Sequence, residues 1–361
     1  MNQADPARGS FTPGLLEGMS FSQSDLSAVR AIGEHKGRQD LYRQFPALLE
    51  SLRSIAVIQS TEASNRIEGV VAPAQRIREL VEHRTTPRNR SEDEIAGYRD
   101  VHATIHGNAS NIVLTPNIIL QLHRDLYAFL PGEGGRWKAA DNDIVESLPD
   151  GSSFVRFQPV SAFLTPGAIE QLVRRFREVL SEGAVEPLVA IAAFILDFLC
   201  IHPFLDGNGR MARLLTLLLL YQSGYEVGRY VSLEKTIEES RETYYESLLR
   251  SSHHWHEGRH DMSPWLVYLL GVLIAASKQL ESRVASLSGA RGAKRQVVVD
   301  CIRRLPPTFR IGDLIDACPG ISRPTVNRAL ADLQRVGEIS CSGRGRYAVW
   351  KTRYGQPPQA G

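Results

Sequence analysis

The densest concentration of reactive side chains lies in one twelve-residue run, His202-Pro203-Phe204-Leu205-Asp206-Gly207-Asn208-Gly209-Arg210-Met211-Ala212-Arg213. It follows an apolar segment and opens another. Gly207 and Gly209 leave backbone N–H groups uncovered where a helix begins, a geometry that holds phosphate through amide donors and the positive helix end. Arg210 and Arg213 are three residues apart and share one side of that helix, so both can fork onto phosphate oxygens. Asp206 is a carboxylate beside this anion site, suited to a Mg²⁺ that bridges phosphates. His202 stands just before the turn, where an imidazole can act as a general base near neutral pH. Together these residues describe a centre for nucleotide transfer.

The elements that must carry this run are mostly helical. Apolar residues at Phe45, Leu48, Leu49, Leu52, Ile55, Ala56 and Ile58 follow a 3.6-residue period and predict a helix over Leu41–Glu68, with Pro46 near its start. Further helices are predicted over Pro73–Arg84, from a capping box at Ser91 and Glu94 to His106, and over Asn117–Phe129 behind Thr115-Pro116. Ala168–Leu180, Leu188–Ile201, Asn208–Tyr221, Ser240–Arg250 and Ser263–Val284 complete the set. Arg136–Val160 breaks the pattern. Ile144-Val145 and Phe154-Val155-Arg156-Phe157 flank Pro149-Asp150-Gly151, which predicts a β-hairpin inside a helical domain. Such a hairpin is marginal alone, so it must be held against the helices.

Composition bounds the rest. The chain has 361 residues, 43% hydrophobic and 23% charged, an ordinary balance for a globular protein. Cys200, Cys301, Cys318 and Cys341 form no CxxC pair and no zinc-ligand spacing, which predicts a reducing compartment, the cytoplasm. Met1–Ser20 lacks the apolar core and basic head of a secretory signal. Val189–Ile201 and Met211–Tyr221 are apolar but too short to span a bilayer, so no membrane association is expected. His253, His254, His256 and His260 have no companion Cys or spaced carboxylate, and Pro131–Gly135 lacks the ending of a phosphate-binding P-loop. Both read as solvated turns.

Charge divides the chain. Residues 291–361 hold 13 basic and 5 acidic side chains, a net of +8, against a net of −6 for the remainder. That split predicts two separate jobs. The domain plan is an N-terminal extension over 1–40, N-terminal helices over 41–110, a helical core over 111–286, a linker over 287–293, a basic domain over 294–353 and a tail over 354–361.

The run at 202–213 meets every fixed position of HPFxDGNGRxxR, the signature of the Fic (filamentation induced by cAMP) family, which the chain resembles from about Ser60 to Ser286. The resemblance implies a mainly α fold, a Fic-type helical bundle with a β-hairpin flap. It implies transfer of AMP from ATP to a Ser, Thr or Tyr hydroxyl of a target protein, this chain among the candidates. By that resemblance His202 deprotonates the hydroxyl and Asp206 holds Mg²⁺. Gly207, Asn208 and Gly209 bind the α- and β-phosphates, with Arg210 on the phosphates and Arg213 toward the γ-phosphate. Intact Gly207 and Asn208 speak against the members that transfer phosphate instead.

Ser64-Asn65-Arg66-Ile67-Glu68-Gly69 is similar to the family's inhibitory helix. Ser64 and Glu68 share one helix face, and Gly69 is placed to end the helix. A Glu68 carboxylate near Arg213 would make a bidentate pair with the guanidinium that ATP needs. A hundredfold suppression requires about 2.8 kcal/mol. Some members of this class use the same Glu to remove AMP. The hairpin, Asn142–Glu146 with Phe154–Pro159, resembles a flap that docks the target as an added strand, with Ile144 and Val145 covering the nucleotide. Gln158-Pro159-Val160 departs from the family's Pro-Pro there, and plain packing is the alternative role. Tyr230-Val231-Ser232-Leu233-Glu234 and Tyr244-Tyr245 also resemble the family. Tyr244 and Tyr245 would flank the adenine or ribose, although Tyr pairs equally suit helix packing.

The basic domain reads as helices over Arg295–Arg304, Ile311–Ala317 and Pro324–Val336, then strands at Ile339–Cys341 and Tyr347–Trp350. That order resembles a winged helix-turn-helix. Its third helix would offer Arg323, Thr325, Asn327 and Arg328 to DNA, with Arg344 and Arg346 on phosphates from the wing. Packing on the core or homodimer formation are the alternative uses. A nucleotide-sensing DNA-binding regulator is accordingly the second functional reading.

Overall fold

A computed structural model of the chain describes residues 9–43, 45–130, 132–147, 153–288, 293–318, 321–343 and 348–352. The first elements are helices α1 (Gln23–Tyr42), α2 (Pro46–Ile67), α3 (Ala74–Val81), α4 (Arg90–Asn108) and α5 (Pro116–Leu126), followed by strands β1 (Ile144–Ser147) and β2 (Ser153–Phe157). Then come α6 (Thr165–Glu182), α7 (Pro187–Ile201), α8 (Asn208–Gln222), α9 (Leu233–Glu239), α10 (Arg241–Ser252) and α11 (Ser263–Ser288). Last are α12 (Ala293–Arg304), β3 (Thr308–Arg310), α13 (Ile311–Ala317), α14 (Arg323–Arg335), β4 (Ile339–Ser342) and β5 (Val349–Thr352).

Contacts divide the chain into two compact units, Met1–Lys36 with Leu52–Lys278, and Gly37–Ser51 with Gln279–Gly361. In the first, α7 and α8 form the centre, α7 packing on α6 and α8, and α8 also on α4. Both are buried on nearly every side, as helices apolar around their circumference must be. This is why the two apolar stretches of the sequence fall on either side of the reactive run. They are the two core helices, and the run is the turn between them. Among the described residues, Ser263–Ala285 of α11 is long and apolar enough by composition to cross a membrane, and half of that stretch is buried in the fold. Its hydropathy passed unremarked in the sequence.

Local chemistry sets the helix ends. Thr115 caps α5, accepting from the Ile118 amide at 3.1 Å, with Pro116 as the first helical residue. The cap of α4 is Asn89, whose side chain accepts from the Glu92 amide at 3.0 Å, not Ser91 as the sequence suggested. Glu94 is thereby free of capping and turns inward. Helix α1 is an element the sequence reading missed; its signal was Ser22-Gln23-Ser24-Asp25, where Asp25 accepts from the Ser22 amide (2.8 Å) and Ser22 Oγ from the Asp25 amide (3.2 Å). The hairpin forms as expected, with Val145 opposite Val155, Glu146 opposite Phe154 and a register shift between Ile144 and Val145. Its tip, with Pro149, Asp150 and Gly151, lies outside the described residues.

In the second unit, α12, α13 and α14 enclose Val298, Cys301, Ile302, Leu314, Val326, Leu330 and Leu333, while Phe309 and Ile339 add the inner face of a sheet. The sheet is antiparallel, in the order β3-β5-β4. The three helices lie close to their expected ranges. Strand β3 was not foreseen, and β5 begins two residues later than the expected Tyr347. Arg344 and Arg346, Tyr347, most of the expected linker and the tail over 354–361 lie outside the described residues.

Candidate active site

A cavity of about 630 Å³ opens beside the turn between α7 and α8. Glu68, Ile144, Val145, His202, Gly209, Tyr244 and Tyr245 all line it. The structure thus gathers residues from α2, the hairpin, the turn and α10 that the sequence had singled out separately. It adds Arg156, Phe157, Cys200, Arg241 and Leu248 to the lining. Arg156 lies over the Tyr245 ring (5.4 Å to the centroid) and donates to the Tyr245 carbonyl at 3.2 Å, tying the hairpin to α10. Its signal in the sequence was a lone charge in an apolar strand. Tyr244 is buried, and burial raises the pKa of its hydroxyl.

His202 ends α7 in the left-handed conformation, φ 51° and ψ 61°. A non-glycine residue holds that conformation only when its surroundings enforce it. Its amide is bonded to the Phe198 carbonyl (2.9 Å), and its Nδ1 meets the Leu199 carbonyl at 3.2 Å. A carbonyl can only accept, so Nδ1 carries the proton and the Nε2 lone pair is left as the base. Burial is the main cause that lowers the His202 pKa to about 4, and the nearby Lys138 ammonium adds to it. The imidazole is neutral at pH 7.

The turn is braced from four sides. Asn208, buried, accepts from the Phe204 amide (2.9 Å) and donates to the Phe204 carbonyl (2.8 Å), closing the loop on itself. Lys138 donates from its amide to Pro203 O (2.8 Å) and from Nζ to Ile201 O (3.2 Å). Burial lowers the Lys138 pKa to about 8. His123 stacks on Phe204 at 3.6 Å between centroids and 3° between planes. Its Nδ1 accepts from the Gly135 amide (3.0 Å), which leaves Nε2–H to donate to Asp206 O (3.0 Å). Gly207 has φ 82°, and a Cβ there would press on the Tyr127 hydroxyl at 3.0 Å.

Arg210 is placed differently from the expectation. It is 1% exposed, bonded to Glu94 and to the Tyr127 hydroxyl (2.7 Å), with its guanidinium 5.3 Å from the Tyr127 ring centroid. That engagement makes it a strut of the turn, and Arg210 is not among the residues that line the cavity. Asn208 is likewise a brace through its side chain, and the Gly207 amide donates to Asp206 Oδ1 at 2.6 Å. What remains for an anion is the start of α8, where the first helical bond runs from Met211 N to Gly207 O (2.9 Å). Among the described residues, the amides before it, from Asn208 to Arg210, have no acceptor and are the open donors of a helix N-terminus.

Asp206 is 66% exposed, its Oδ2 3.5 Å from Arg210 Nη2. Burial would raise its pKa, but Arg210, the Tyr127 hydroxyl and the Gly207 amide outweigh it and hold the carboxyl below the usual value. Among the described residues no group of three or more His, Cys, Asp or Glu side chains could enclose a metal. One ionised, exposed carboxylate fits a Mg²⁺ completed by phosphate oxygens and water.

Glu68 lies over Gly209, where a Cβ would collide with its carboxylate. Arg213 is 3% exposed and engages the end of α2 and the residue just past it, with Nε on Ser64 Oγ (2.8 Å), Nη2 on Ser64 O (2.9 Å) and Nη2 on Glu68 Oε1 (2.8 Å). The expected bidentate pair is therefore a single Glu68 bond reinforced by Ser64, because Ser64 takes Nε. Arg213 Nη1 is buried with no hydrogen-bond partner among the described residues. Burial opposes its charge, yet Glu68 raises the Arg213 pKa further still.

A profile of the Fic/DOC family matches residues 113–220. "Protein adenylyltransferase Fic" of Drosophila grimshawi is 28% identical over 209 residues, 56% of this chain and 40% of that protein. A Fido domain-containing protein of Dictyostelium discoideum is 33% identical over 102 residues, 27% of this chain and 66% of that one. A crystal structure of a Fic family protein from Desulfovibrio desulfuricans superposes with a TM-score of 0.61 at 22% identity, covering 94% of this chain and 98% of the other. The chain spans well under half the length of the Drosophila relative it matches. Residues 113–220, which carry the braced turn and both core helices, form a domain of the Fic/DOC family.

Proposed function

We propose that the chain is an ATP-dependent protein adenylyltransferase. The observation that carries this reading is the His202 imidazole, its Nδ1 on the Leu199 carbonyl so that Nε2 keeps the lone pair, lining a cavity that meets the N-terminus of α8. His202 Nε2 takes the proton from a target Ser, Thr or Tyr hydroxyl. The oxygen attacks the α-phosphorus, a phosphodiester bond forms, and the bond to the β-phosphate's bridging oxygen breaks, releasing pyrophosphate. The α8 amides and the Gly209 backbone cradle the phosphates, and Tyr244 and Tyr245 flank the adenosine. Mg²⁺ held by Asp206 would neutralise charge on the leaving group.

Glu68 supplies autoinhibition in this reading. Its carboxylate covers Gly209 and holds Arg213, so it stands where a γ-phosphate would be placed. The same carboxylate could orient water for AMP removal. The hairpin exposes Val145 (54%), Phe154 (45%) and Val155 (47%), and Phe163 (92%) and Leu205 (74%) are exposed as well. Apolar side chains on a strand edge suit an extended target segment.

A second role is favoured for the other unit by one observation. Arg323, Asn327 and Arg328 are exposed on α14, with Thr325 half-buried, while Val326, Ala329 and Leu330 face the core. A basic polar helix face suits DNA, which would make the chain a regulator as well as an enzyme.

The experiment is incubation with ATP labelled at either the α- or the γ-phosphorus. Protein label from the α-position alone supports AMP transfer. Label from the γ-position would mean phosphate transfer and overturn the reading.

A further inference from the structure

Glu234 is the second buried feature of the core that involves α2, and neither the cavity nor the Fic turn uses it. It lies in the first turn of α9 and is 1% exposed. Its described partners are hydroxyls from two helices and its own cap. Oε1 accepts from Tyr98 OH (3.0 Å), and Oε2 accepts from Ser60 Oγ (2.7 Å) and Ser232 Oγ (3.3 Å). Ser60 and Ser232 are in turn 2.9 Å apart.

Ser60 and Ser64 are four apart on one face of α2, and Glu68 stands one residue past its C-terminal end. Glu68 and Ser64 hold Arg213, and Ser60, one turn further back, holds Glu234. Tyr98 meets the same carboxylate. Its hydroxyl donates to Glu234 Oε1 at 3.0 Å, and burial with the nearby Glu234 carboxylate raises its pKa. A carboxylate only accepts, so Glu234 fixes the direction of the hydroxyls around it.

We infer that Glu234 is a positioning residue that latches the inhibitory helix through Ser60 and Tyr98 and sets how firmly Glu68 is seated on Arg213. This rests on the inhibitory reading of Glu68. The latch is polar, and that matters for release. A buried carboxylate that loses Ser60 must find another donor, and water supplies one as soon as α2 lifts. An apolar latch would have no such compensation, so α2 is held by a contact whose loss is partly offset on opening.

The test pairs two readouts on the full chain. Hydrogen exchange of the amides over 56–68 is measured for the wild type, Ser60→Ala, Tyr98→Phe and Glu234→Gln. Basal labelling from α-labelled ATP is measured for the same variants, alone and combined with Glu68→Gly. We expect faster exchange over 56–68 and basal labelling raised about fivefold in Ser60→Ala, on the scale of one buried hydrogen bond. Combined with Glu68→Gly, it should add nothing. Unchanged exchange in both Ser60→Ala and Glu234→Gln overturns the latch. So does faster exchange without a rise in labelling, provided Glu68→Gly itself raises it. If Glu68→Gly raises nothing, the inhibitory reading fails, and exchange alone then decides whether Glu234 anchors α2.

Discussion

The turn from His202 to Gly209 and the β1–β2 hairpin face the same cavity and are built on opposite principles. The turn is short and over-determined, with Leu205 and Asp206 exposed and most of its other residues packed inside. His123, Lys138 and Asn208 hold its backbone, and Glu94 and Tyr127 hold Arg210 behind it. The hairpin has one paired neighbour and leaves Val145, Phe154 and Val155 in water. The chemistry needs fixed atoms, because a misplaced base loses its hydrogen-bond reach. The target side needs an edge that can accept strands of different sequence. Rigidity and openness are therefore assigned to different segments of one site.

Removing the base should have the largest effect. His202→Ala is expected to lower labelling by roughly 10²–10⁴, and a smaller loss would mean that the turn's rigidity serves something other than this imidazole. Breaking a brace comes next. Asn208→Ala should destabilise the protein by about 1–3 kcal/mol in urea unfolding, since the Phe204 N–H loses its Asn208 acceptor while the Phe204 carbonyl keeps Asn142. On the hairpin, Val155→Asp should leave urea stability within about 0.5 kcal/mol of the wild type and raise the KM for a protein target while leaving that for ATP. Equal loss of stability in both regions would erase the contrast.

The pH profile sharpens it. With its pKa lowered to about 4, His202 keeps its lone pair above that value and gains a proton below it. The His202 limb of kcat/KM should therefore stay level from pH 8 to pH 6 and be halved near pH 4. A midpoint near 6.5 would show an imidazole exposed to water, and a looser turn. The smallest effect is expected in the second unit, where Arg323→Ala or Arg328→Ala should lower the salt dependence of DNA binding by about one unit of slope each. A salt-independent affinity would assign that face to protein contact.

Much of the site was legible because its parts are contiguous. The base, the carboxylate and Gly207 lie in the turn between two apolar helices, Gly209 and the arginines lie at the start of the second, and that order survives in the sequence. The cavity's other walls were legible only through resemblance to the Fic family. What the sequence hid were partners far along the chain. Glu94 is 116 residues from Arg210, and Tyr127 is 83. Glu94 looked like a capping residue because its spacing from Ser91 fits that role as well. Ser60 and Glu234 are 174 residues apart, and although Tyr230–Glu234 resembles the family, nothing local in the sequence pairs the two. Arg210 was assigned to phosphate by its chemistry, and only packing shows that Glu94 and Tyr127 already hold it.

The most direct test of the central claim compares initial rates of AMP incorporation from ATP in the wild type, Glu68→Gly and Glu68→Gly/His202→Ala. Clearing the carboxylate from Gly209 and Arg213 should raise the rate about a hundredfold, and losing the imidazole should return it to background. A Glu68→Gly rate no higher than the wild type, or label that persists without His202, would contradict the account.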